Sequence, residues 1–303
     1  MERAYLGQTG VRVSRIILGC GNFGGIGSSP AFFGRRGESR EEAFAIMDAA
    51  WEAGITTFDT ADAYGGGRSE TFIGDWLRTK GPEVRDEIVL ATKTFNPMDE
   101  GEDHGLAPAR VKRQLESSLH RLGVERVQLY LTHDWDPDVP IAETAGALDE
   151  LQRAGKIGVY GASNVNAQQL RELPAGFGWV QNSYSLLDRK AETEILPLCA
   201  ERGLGFTPFS PLAGGWLTGK YRRNEPAPPG SRMTVRPEPY EHFRDDAVFD
   251  LLEDLERKAE LEGTTMAALA IAWLLANPQV TAVIVGPRGP AQLEPALAAL
   301  TNP

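Results

Sequence analysis

Cysteine and histidine are scarce in this chain of 303 residues, which contains two cysteines and four histidines. Cys20 and Cys199 form no C-x-x-C pair, and this cysteine usage is typical of a reduced, cytoplasmic protein. The histidines include no H-x-H pair and no cluster with the spacing of metal ligands. A metal-dependent hydrolase is therefore disfavoured, and we predict no metal site.

Long apolar runs and an excess of positive charge are also missing. No uninterrupted apolar stretch approaches the roughly 20 residues that span a bilayer, and the N-terminus lacks a basic region followed by an apolar signal segment. We therefore expect a cytoplasmic protein without membrane insertion. The chain has 42 acidic and 31 basic residues, a formal charge of −11. That charge repels nucleic acid and anionic membranes, so a phosphate-bearing ligand would need local cations.

Glycine, by contrast, is abundant, with 33 residues. Residues 19–24 contain the pattern G-x-G-x-x-G directly after the apolar run 13–18. In a Rossmann fold this pattern opens a helix, and a second strand ends in an acidic residue about twenty positions later. Here residues 25–34 read as a loop, and Glu41 lies inside a helical pattern. We therefore reject the Rossmann interpretation.

Short β-rich runs alternate with amphipathic segments about eight times, which is the pattern of parallel βα units. The predicted strands lie at 16–18, 56–59, 88–92, 129–132, 157–162, 179–181, 204–208 and 281–285. The clearest predicted helices lie at 40–53, 69–78, 108–122, 141–154, 191–202 and 266–276, with an extra helix at 247–262.

The order of these elements predicts a closed (β/α)8 TIM barrel. Three helices stop at a glycine that precedes a strand, at Gly54, Gly155 and Gly203, as left-handed C-terminal glycines do. Residues 5–13 read as an N-terminal β-hairpin that plugs the bottom of the barrel. No second composition regime or long linker appears, so residues 1–303 are predicted to form a single barrel domain. The Pro-rich segment 224–239, a long loop after strand seven, is predicted to act as a lid.

Polar side chains terminate most of the predicted strands, and in TIM barrels the active site lies at those carboxyl ends. Asp59, Lys93 and His133 end three consecutive strands, and Tyr64 follows Asp59 by five residues. A cation near Tyr64 would lower its pKa from about 10 and let it exchange a proton near neutral pH. Asp59 would hold that cation, and His133 would hydrogen-bond the oxygen on which Tyr64 acts. These four residues predict a proton-delivery site for a carbonyl group.

The sequence resembles the aldo-keto reductase superfamily at residues 58–65, 92–93, 132–133 and 161–164, and the similarity extends over almost the whole chain. The resemblance implies a TIM barrel that binds NADPH across its mouth and reduces aldehydes or ketones. It identifies Asp59, Tyr64, Lys93 and His133 as the catalytic residues.

The resemblance also implies a set of cofactor-binding residues. Ser163, Asn164 and Gln181 match residues that hold the nicotinamide carboxamide, and Phe209 matches the aromatic residue stacked beneath the ring. The remaining positions match residues near the ribose, the phosphates or the adenosine: Gly21, Asn22, Ser210, Leu212, Gly214, Lys220, Arg232, Gly286, Arg288 and Gln292.

Residues 286–292 are similar to the G-x-R-x-x-x-Q motif of the family, in which the arginine faces the 2′-phosphate of NADPH. Arg288 would therefore favour NADPH over NADH, because a guanidinium group can form two hydrogen bonds to a phosphate. Two positions depart from the family pattern. Ala296 replaces an expected asparagine that contacts adenine, and Pro295 replaces a frequent acidic residue.

Aromatic residues on the strand-end loops are predicted to line the substrate pocket, namely Phe23, Phe32, Phe33, Trp135 and Trp216. The expected partner is a small-molecule carbonyl compound. Two alternatives stay open, because the same residues fit a keto-sugar reductase of a biosynthetic pathway and a regulatory subunit that keeps the cofactor site with little turnover.

Overall fold

Parallel β-strands occupy the centre of the fold. The computed structural model describes residues 1–34, 37–99, 101 and 103–301. Within them the strands are β1 Arg3–Tyr5, β2 Arg12–Ser14, β3 Ile16–Gly19, β4 Thr57–Asp59, β5 Val89–Thr94, β6 Val127–Thr132, β7 Ile157–Ser163, β8 Phe177–Gln181, β9 Gly205–Phe206 and β10 Val283–Val285. The pair β1 and β2 is antiparallel, and β3 to β10 form one parallel sheet in the order β10-β3-β4-β5-β6-β7-β8-β9.

Backbone hydrogen bonds join the two ends of this sheet. The amide of Thr281 donates to the carbonyl of Phe206 at 2.8 Å, and the amide of Ile284 donates to the carbonyl of Pro208 at 3.0 Å. These bonds connect the segments of β9 and β10, so the eight parallel strands close on themselves. The predicted (β/α)8 TIM barrel is confirmed, and each predicted strand overlaps an observed one.

Helices surround the barrel. They are α1 Arg40–Glu52, α2 Arg68–Arg78, α3 Pro82–Glu87, α4 Pro108–Leu122, α5 Ile141–Arg153, α6 Ala167–Glu172, α7 Ile195–Arg202, α8 Arg232–Val235, α9 Asp246–Leu261, α10 Met266–Ala276 and α11 Glu294–Thr301. The prediction omitted α3, α6, α8 and α11, each of eight residues or fewer. It also began α7 four residues early, because Glu194 has a φ of −137° that interrupts the helix.

Local sequence explains where the helices begin and end. Ser39 precedes α1 and forms a capping box with Glu42, whose amide donates to the serine hydroxyl while its carboxylate accepts from the Ser39 amide. The three predicted terminal glycines all have positive φ values, of 83° at Gly54, 75° at Gly155 and 66° at Gly203. Each of these glycines therefore turns the chain from a helix toward the next strand, as predicted.

The N-terminal hairpin packs into the barrel. Leu6 and Val13 are fully buried in the cluster that contains Ile17, Leu129 and Trp179 from the barrel strands. Burial of these apolar side chains shields the amino-terminal end of the barrel strands from water. Burial of one such side chain stabilises the fold by roughly 1.5–3 kcal/mol. The hairpin is thus a structural plug, and it lies away from the carboxyl ends of the strands.

A separate apolar cluster lies under the segment that follows β9. Its buried members include Trp216, Tyr221, Met233 and Phe243, which pack with residues of α9 and α10. This cluster fixes the base of the Pro-rich segment 224–239, which contains the short helix α8. The sequence predicted irregular structure there, and its role as a lid stays a prediction.

Among the described residues, no single helix is long and apolar enough to cross a membrane, although α9 and α10 together meet that test across a bend of 95°. The same residues contain no group of three or more histidine, cysteine or acidic side chains that could hold a metal ion.

Candidate active site

Neighbouring barrel strands bring the predicted catalytic residues to one mouth of the barrel. Asp59 is the last residue of β4, Lys93 is the penultimate residue of β5, and His133 follows β6 directly. Tyr64 begins a short 3-10 helix on the loop after β4. Because the strands are parallel and adjacent, their carboxyl ends meet, and the four side chains converge.

Lys93 is the centre of the site. Its side chain is fully buried, and its Nζ donates to Asp59 Oδ1 at 2.5 Å and to the Thr60 carbonyl at 2.8 Å. The same nitrogen lies 3.4 Å from the hydroxyl oxygen of Tyr64. Burial by itself lowers the pKa of Lys93, but Asp59 and Tyr64 together raise it above its ordinary value. The ammonium group therefore stays charged beside the Tyr64 hydroxyl.

Gln181 completes the surroundings of Asp59. Its Nε2 donates to Asp59 Oδ2 at 2.9 Å, and its backbone carbonyl accepts from the Ser163 hydroxyl at 2.8 Å. The Asn164 side chain donates to the His133 carbonyl at 2.9 Å. Of the three residues assigned by resemblance to the nicotinamide carboxamide, Gln181 and Asn164 are thus bonded directly to predicted catalytic residues, and Ser163 is linked to Asp59 through Gln181. The sequence pattern carried no signal for the bond between Gln181 and Asp59.

His133 lies against Tyr64. The ring centroids are 5.4 Å apart with an interplanar angle of 80°. His133 is buried, and its Nδ1 has no hydrogen-bond partner among the described residues. Burial and the nearby Lys93 charge hold the pKa of His133 well below its ordinary value of 6.5. The imidazole is therefore neutral at neutral pH and retains one N–H donor.

The pKa of Tyr64 corrects one sequence-based expectation. Burial raises this pKa above 10, and the opposing effect of Lys93 is smaller. The expectation of a lowered pKa was wrong because it counted the cation and omitted desolvation, which disfavours the tyrosinate. In this state Tyr64 is a protonated phenol, which is the form that donates a proton.

A buried acidic pair that sequence reasoning missed lies behind the site. Glu70 accepts hydrogen bonds from Thr92 Oγ1 at 2.5 Å and from Arg121 Nε at 2.7 Å. Asp62 is fully buried beside it, and burial together with the Glu70 charge raises the pKa of Asp62 to about 7. A faint signal was available, since Asp62 falls in the same short segment as Asp59 and Tyr64.

We expect Asp62 to make the protein less stable as the pH rises. Its pKa of about 7 in the fold exceeds its ordinary value of 3.8, so the folded state binds the extra proton and loses stability as the pH rises through that range. Between pH 5 and about pH 7 the unfolded state has lost this proton while the folded state keeps it. The free energy of unfolding therefore falls by about 1.4 kcal/mol per pH unit over roughly two units. Relative to the parent, the free energy of unfolding of Asp62→Asn should therefore rise by about 2–3 kcal/mol between pH 5 and pH 8. Urea unfolding at pH 5 and at pH 8 measures this difference.

The control for this experiment is Asp86→Asn, which removes the same charge from an exposed position on α3. This variant should follow the pH profile of the parent protein. Parallel profiles for Asp62→Asn and the parent would show that Asp62 does not carry the proton.

Three cations lie beyond β9 and β10, as the sequence predicted. Arg232 begins α8 and its Nη2 contacts Asn22 Oδ1 at 3.3 Å. Partial loss of solvent lowers the pKa of Lys220, as do the charges of Arg232 and Arg288. Burial likewise lowers the pKa of Arg232, with a further contribution from Arg288. The three positive groups repel one another, and an anion bound among them would relieve that repulsion.

The other predicted cofactor residues surround the same mouth. A Cβ atom added to Gly21 would lie 3.6 Å from the Tyr64 ring, so the segment that follows β3 passes directly beside that ring. Ser210 has a φ of 54°, and its hydroxyl lies 3.3 Å from the hydroxyl of Tyr240, whose ring also faces Gly214. Phe209, Leu212 and Gly286 retain exposed surface, and the Gln292 Oε1 accepts from the Arg288 amide at 2.9 Å.

The predicted aromatic wall is only partly present. Phe32, Phe33 and Trp135 lie on strand-end loops with exposed surface. Phe23 and Trp216, however, are each 1% exposed. Phe23 packs into the main core and Trp216 into the cluster under the segment after β9. The structure therefore does not place these two rings on an open wall, because their apolar area is already buried against other side chains.

Comparison with known proteins identifies the class. The sequence model of the Aldo/keto reductase family matches residues 15–303. The chain is 38% identical to the uncharacterized oxidoreductase YrpG of Bacillus subtilis, over 99% of this chain and 91% of that protein. It is 33% identical to the NADH-specific methylglyoxal reductase of Escherichia coli, over 99% and 94%. It is also 32% identical to a probable voltage-gated potassium channel subunit beta of Arabidopsis thaliana, over 97% and 89%.

The barrel, the residues at its mouth and these similarities together place the chain in one class of oxidoreductases. The chain belongs to the aldo/keto reductase family.

Proposed function

We propose that the protein reduces an aldehyde or ketone to an alcohol with NADPH, and that Tyr64 donates the proton. The observation that carries this proposal is the Tyr64 hydroxyl, 3.4 Å from the buried ammonium group of Lys93 at the mouth of the barrel. A neutral imidazole lies beside the same ring. Reduction of a carbonyl group requires a proton donor beside its oxygen, and side chains fixed in this way are suited to that role.

The residues present fit a phosphorylated dinucleotide. Lys220, Arg232 and Arg288 form a local cluster of cations on a chain of net charge −11, and such a cluster suits phosphate groups. These residues would hold the phosphates, while Ser163 and Asn164 would hold the nicotinamide end. When bound, the nicotinamide would supply the hydride that the protein's own side chains cannot supply.

The protein's side chains would manage the proton and the orientation of the substrate. Tyr64 transfers its phenolic proton to the carbonyl oxygen, and Lys93 stabilises the tyrosinate that forms. Asp59 holds the Lys93 ammonium group through Oδ1, so the cation does not swing away. The neutral imidazole of His133 donates its N–H to the same carbonyl oxygen and orients it.

A small-molecule substrate suits the loops that retain exposed aromatic surface at Phe32, Phe33 and Trp135. These rings would contact the apolar part of an aldehyde or ketone, since aromatic faces supply large contact area. Two free, buried cysteines support the proposal of a reducing, cytoplasmic location.

The test is the fall of NADPH absorbance with a panel of aldehydes, ketones and nucleotide-linked keto sugars, with NADH measured in parallel. We expect turnover of one or more carbonyl compounds and a lower KM for NADPH than for NADH. The parallel NADH measurement matters because the Escherichia coli relative is named for NADH. Absence of turnover with both cofactors would refute the proposal, and a lower KM for NADH would refute its NADPH preference.

A regulatory subunit is a second candidate, favoured by the similarity to the Arabidopsis channel subunit over 97% of this chain. This function would require that NADPH binds while the carbonyl panel shows negligible turnover. Tight binding without turnover would therefore favour a regulatory role, and ready turnover would favour the reductase.

A further inference from the structure

A buried carboxylate lies among the cations at the proposed phosphate site. Glu38 is 3% exposed, and its Oε1 accepts from Arg288 Nε at 3.0 Å. Its second carboxylate oxygen, Oε2, is buried and has no hydrogen-bond partner among the described residues. Acidic side chains are rarely this buried unless they are fully paired. Burying the Glu38 carboxylate in this way therefore costs folding free energy, and a functional role would explain its presence here.

The backbone holds Glu38 where it is. Its amide donates to the Asn22 carbonyl at 2.9 Å, and its carbonyl accepts from the Gly24 amide at 2.9 Å. The next residue, Ser39, is the N-cap of α1. These bonds fix the backbone of Glu38 beside the first turn of α1, so its side chain stays within reach of Arg288.

The guanidinium group of Arg288 already forms two hydrogen bonds within the protein. Its Nε bonds to Glu38, and its Nη1 donates to the Gly230 carbonyl at 3.2 Å. The carboxylate of Glu38 also acts on Arg232 through its charge. A phosphate group that approaches Arg288 therefore meets a guanidinium group with two of its three nitrogens already bonded, and a negative charge beside them.

We propose that Glu38 is a specificity-determining residue that competes with the 2′-phosphate of NADPH for Arg288. This inference rests on the proposed function, because it concerns the same cofactor site. Glu38 reduces the preference for NADPH that Arg288 alone would give, and it leaves the binding of a ligand without a 2′-phosphate unchanged. Its burial raises the pKa of Glu38 despite the Arg288 charge, which agrees with a carboxylate held at a cost.

The experiment compares two fragments of the cofactor by isothermal titration calorimetry, with the intact protein and the Glu38→Gln variant. The probes are 2′,5′-ADP, which carries the 2′-phosphate, and 5′-AMP, which lacks it. Glutamine keeps the shape of the side chain and removes its charge. We expect Glu38→Gln to bind 2′,5′-ADP about tenfold more tightly, the size of one charge-assisted hydrogen bond, and to bind 5′-AMP as the parent does.

Two further variants make the result specific. Glu41→Gln removes one charge from an exposed position on α1 and should leave both affinities unchanged. In an Arg288→Ala background, Glu38→Gln should no longer strengthen 2′,5′-ADP binding, because the competition acts through Arg288. Thermal unfolding of each variant checks that it is folded.

Unchanged or weaker binding of 2′,5′-ADP to Glu38→Gln would overturn this inference, and weaker binding would show that Glu38 orients Arg288 instead. An equal gain for both probes would also overturn it, since the effect would then be independent of the 2′-phosphate. Failure of the proposed function looks different, because then neither NADPH nor NADH would support turnover in any of these proteins.

Discussion

Tyr64→Phe is expected to lower kcat for carbonyl reduction by about 10²–10⁴-fold, the range that a positioned proton donor contributes. The substitution removes only the hydroxyl group that lies 3.4 Å from Lys93 Nζ. The aromatic ring remains, so it still packs against the His133 ring, with the two ring centroids 5.4 Å apart. The affinity for NADPH should therefore stay close to that of the parent, measured by quenching of protein fluorescence, while steady-state turnover falls.

The matched control is Tyr5→Phe, because Tyr5 lies in the N-terminal hairpin with 64% of its surface exposed. It loses the same atom far from the barrel mouth and should turn over at the parent rate. Reduction by Tyr64→Phe at the parent rate would show that another group delivers the proton. A loss of NADPH affinity with kcat unchanged would show that Tyr64 contributes to cofactor binding and does not donate the proton.

Lys93→Met is expected to produce the second large effect, a loss of both stability and turnover. The substitution removes the buried partner of Asp59 and leaves the carboxylate with the bond from Gln181 as its remaining side-chain hydrogen bond among the described residues. Removing one member of a buried ion pair costs about 3–5 kcal/mol of unfolding free energy. Turnover should fall as well, because the tyrosinate of Tyr64 would lose its neighbouring cation.

A double-mutant cycle separates the pair from its surroundings. Asp59→Asn combined with Lys93→Met should be less destabilised than the sum of the two single variants, because neither charge is then left buried alone. Urea unfolding gives the four free energies. Strict additivity would show that Lys93 and Asp59 do not interact. Lys112→Met, which breaks an exposed ion pair with Glu150, should cost no more than about 1 kcal/mol.

The barrel could be predicted from the sequence because each βα unit repeats the same local signals. A short apolar run, a helix with one apolar face and a glycine at the helix end define most units, and the strands fall within a few residues of their predicted positions. The short helices were missed for a physical reason. A helix of six residues, such as α3 or α6, spans fewer than two turns and shows no clear apolar period.

The candidate site could be predicted in part. Parallel strands end at the same edge of the sheet, so the residues that end neighbouring strands were expected to meet, and the structure brings Asp59, Lys93 and His133 together. The bond between Gln181 and Asp59 joins residues 122 positions apart. No local pattern predicts such a contact, because it depends on how the closed barrel brings distant strands together.

The aromatic residues show the same limit in another way. Sequence places a ring on a loop near the mouth, but its exposure depends on which apolar groups pack against it. Trp216 lies on such a loop and is buried by Tyr221, Phe243 and Phe249. A pocket wall therefore cannot be read from residue type and position alone.

The sequence by itself determined the order of the elements, the direction of the strands and the kinds of side chain at their ends, since these follow from local periodicity. Tertiary structure decided how those side chains behave. Burial of Tyr64 outweighs the nearby Lys93 and reverses the expected direction of its pKa shift. The ion pair of Glu38 with Arg288 joins residues 250 positions apart. Both outcomes depend on desolvation and on long-range contacts, which exist only once the chain has folded.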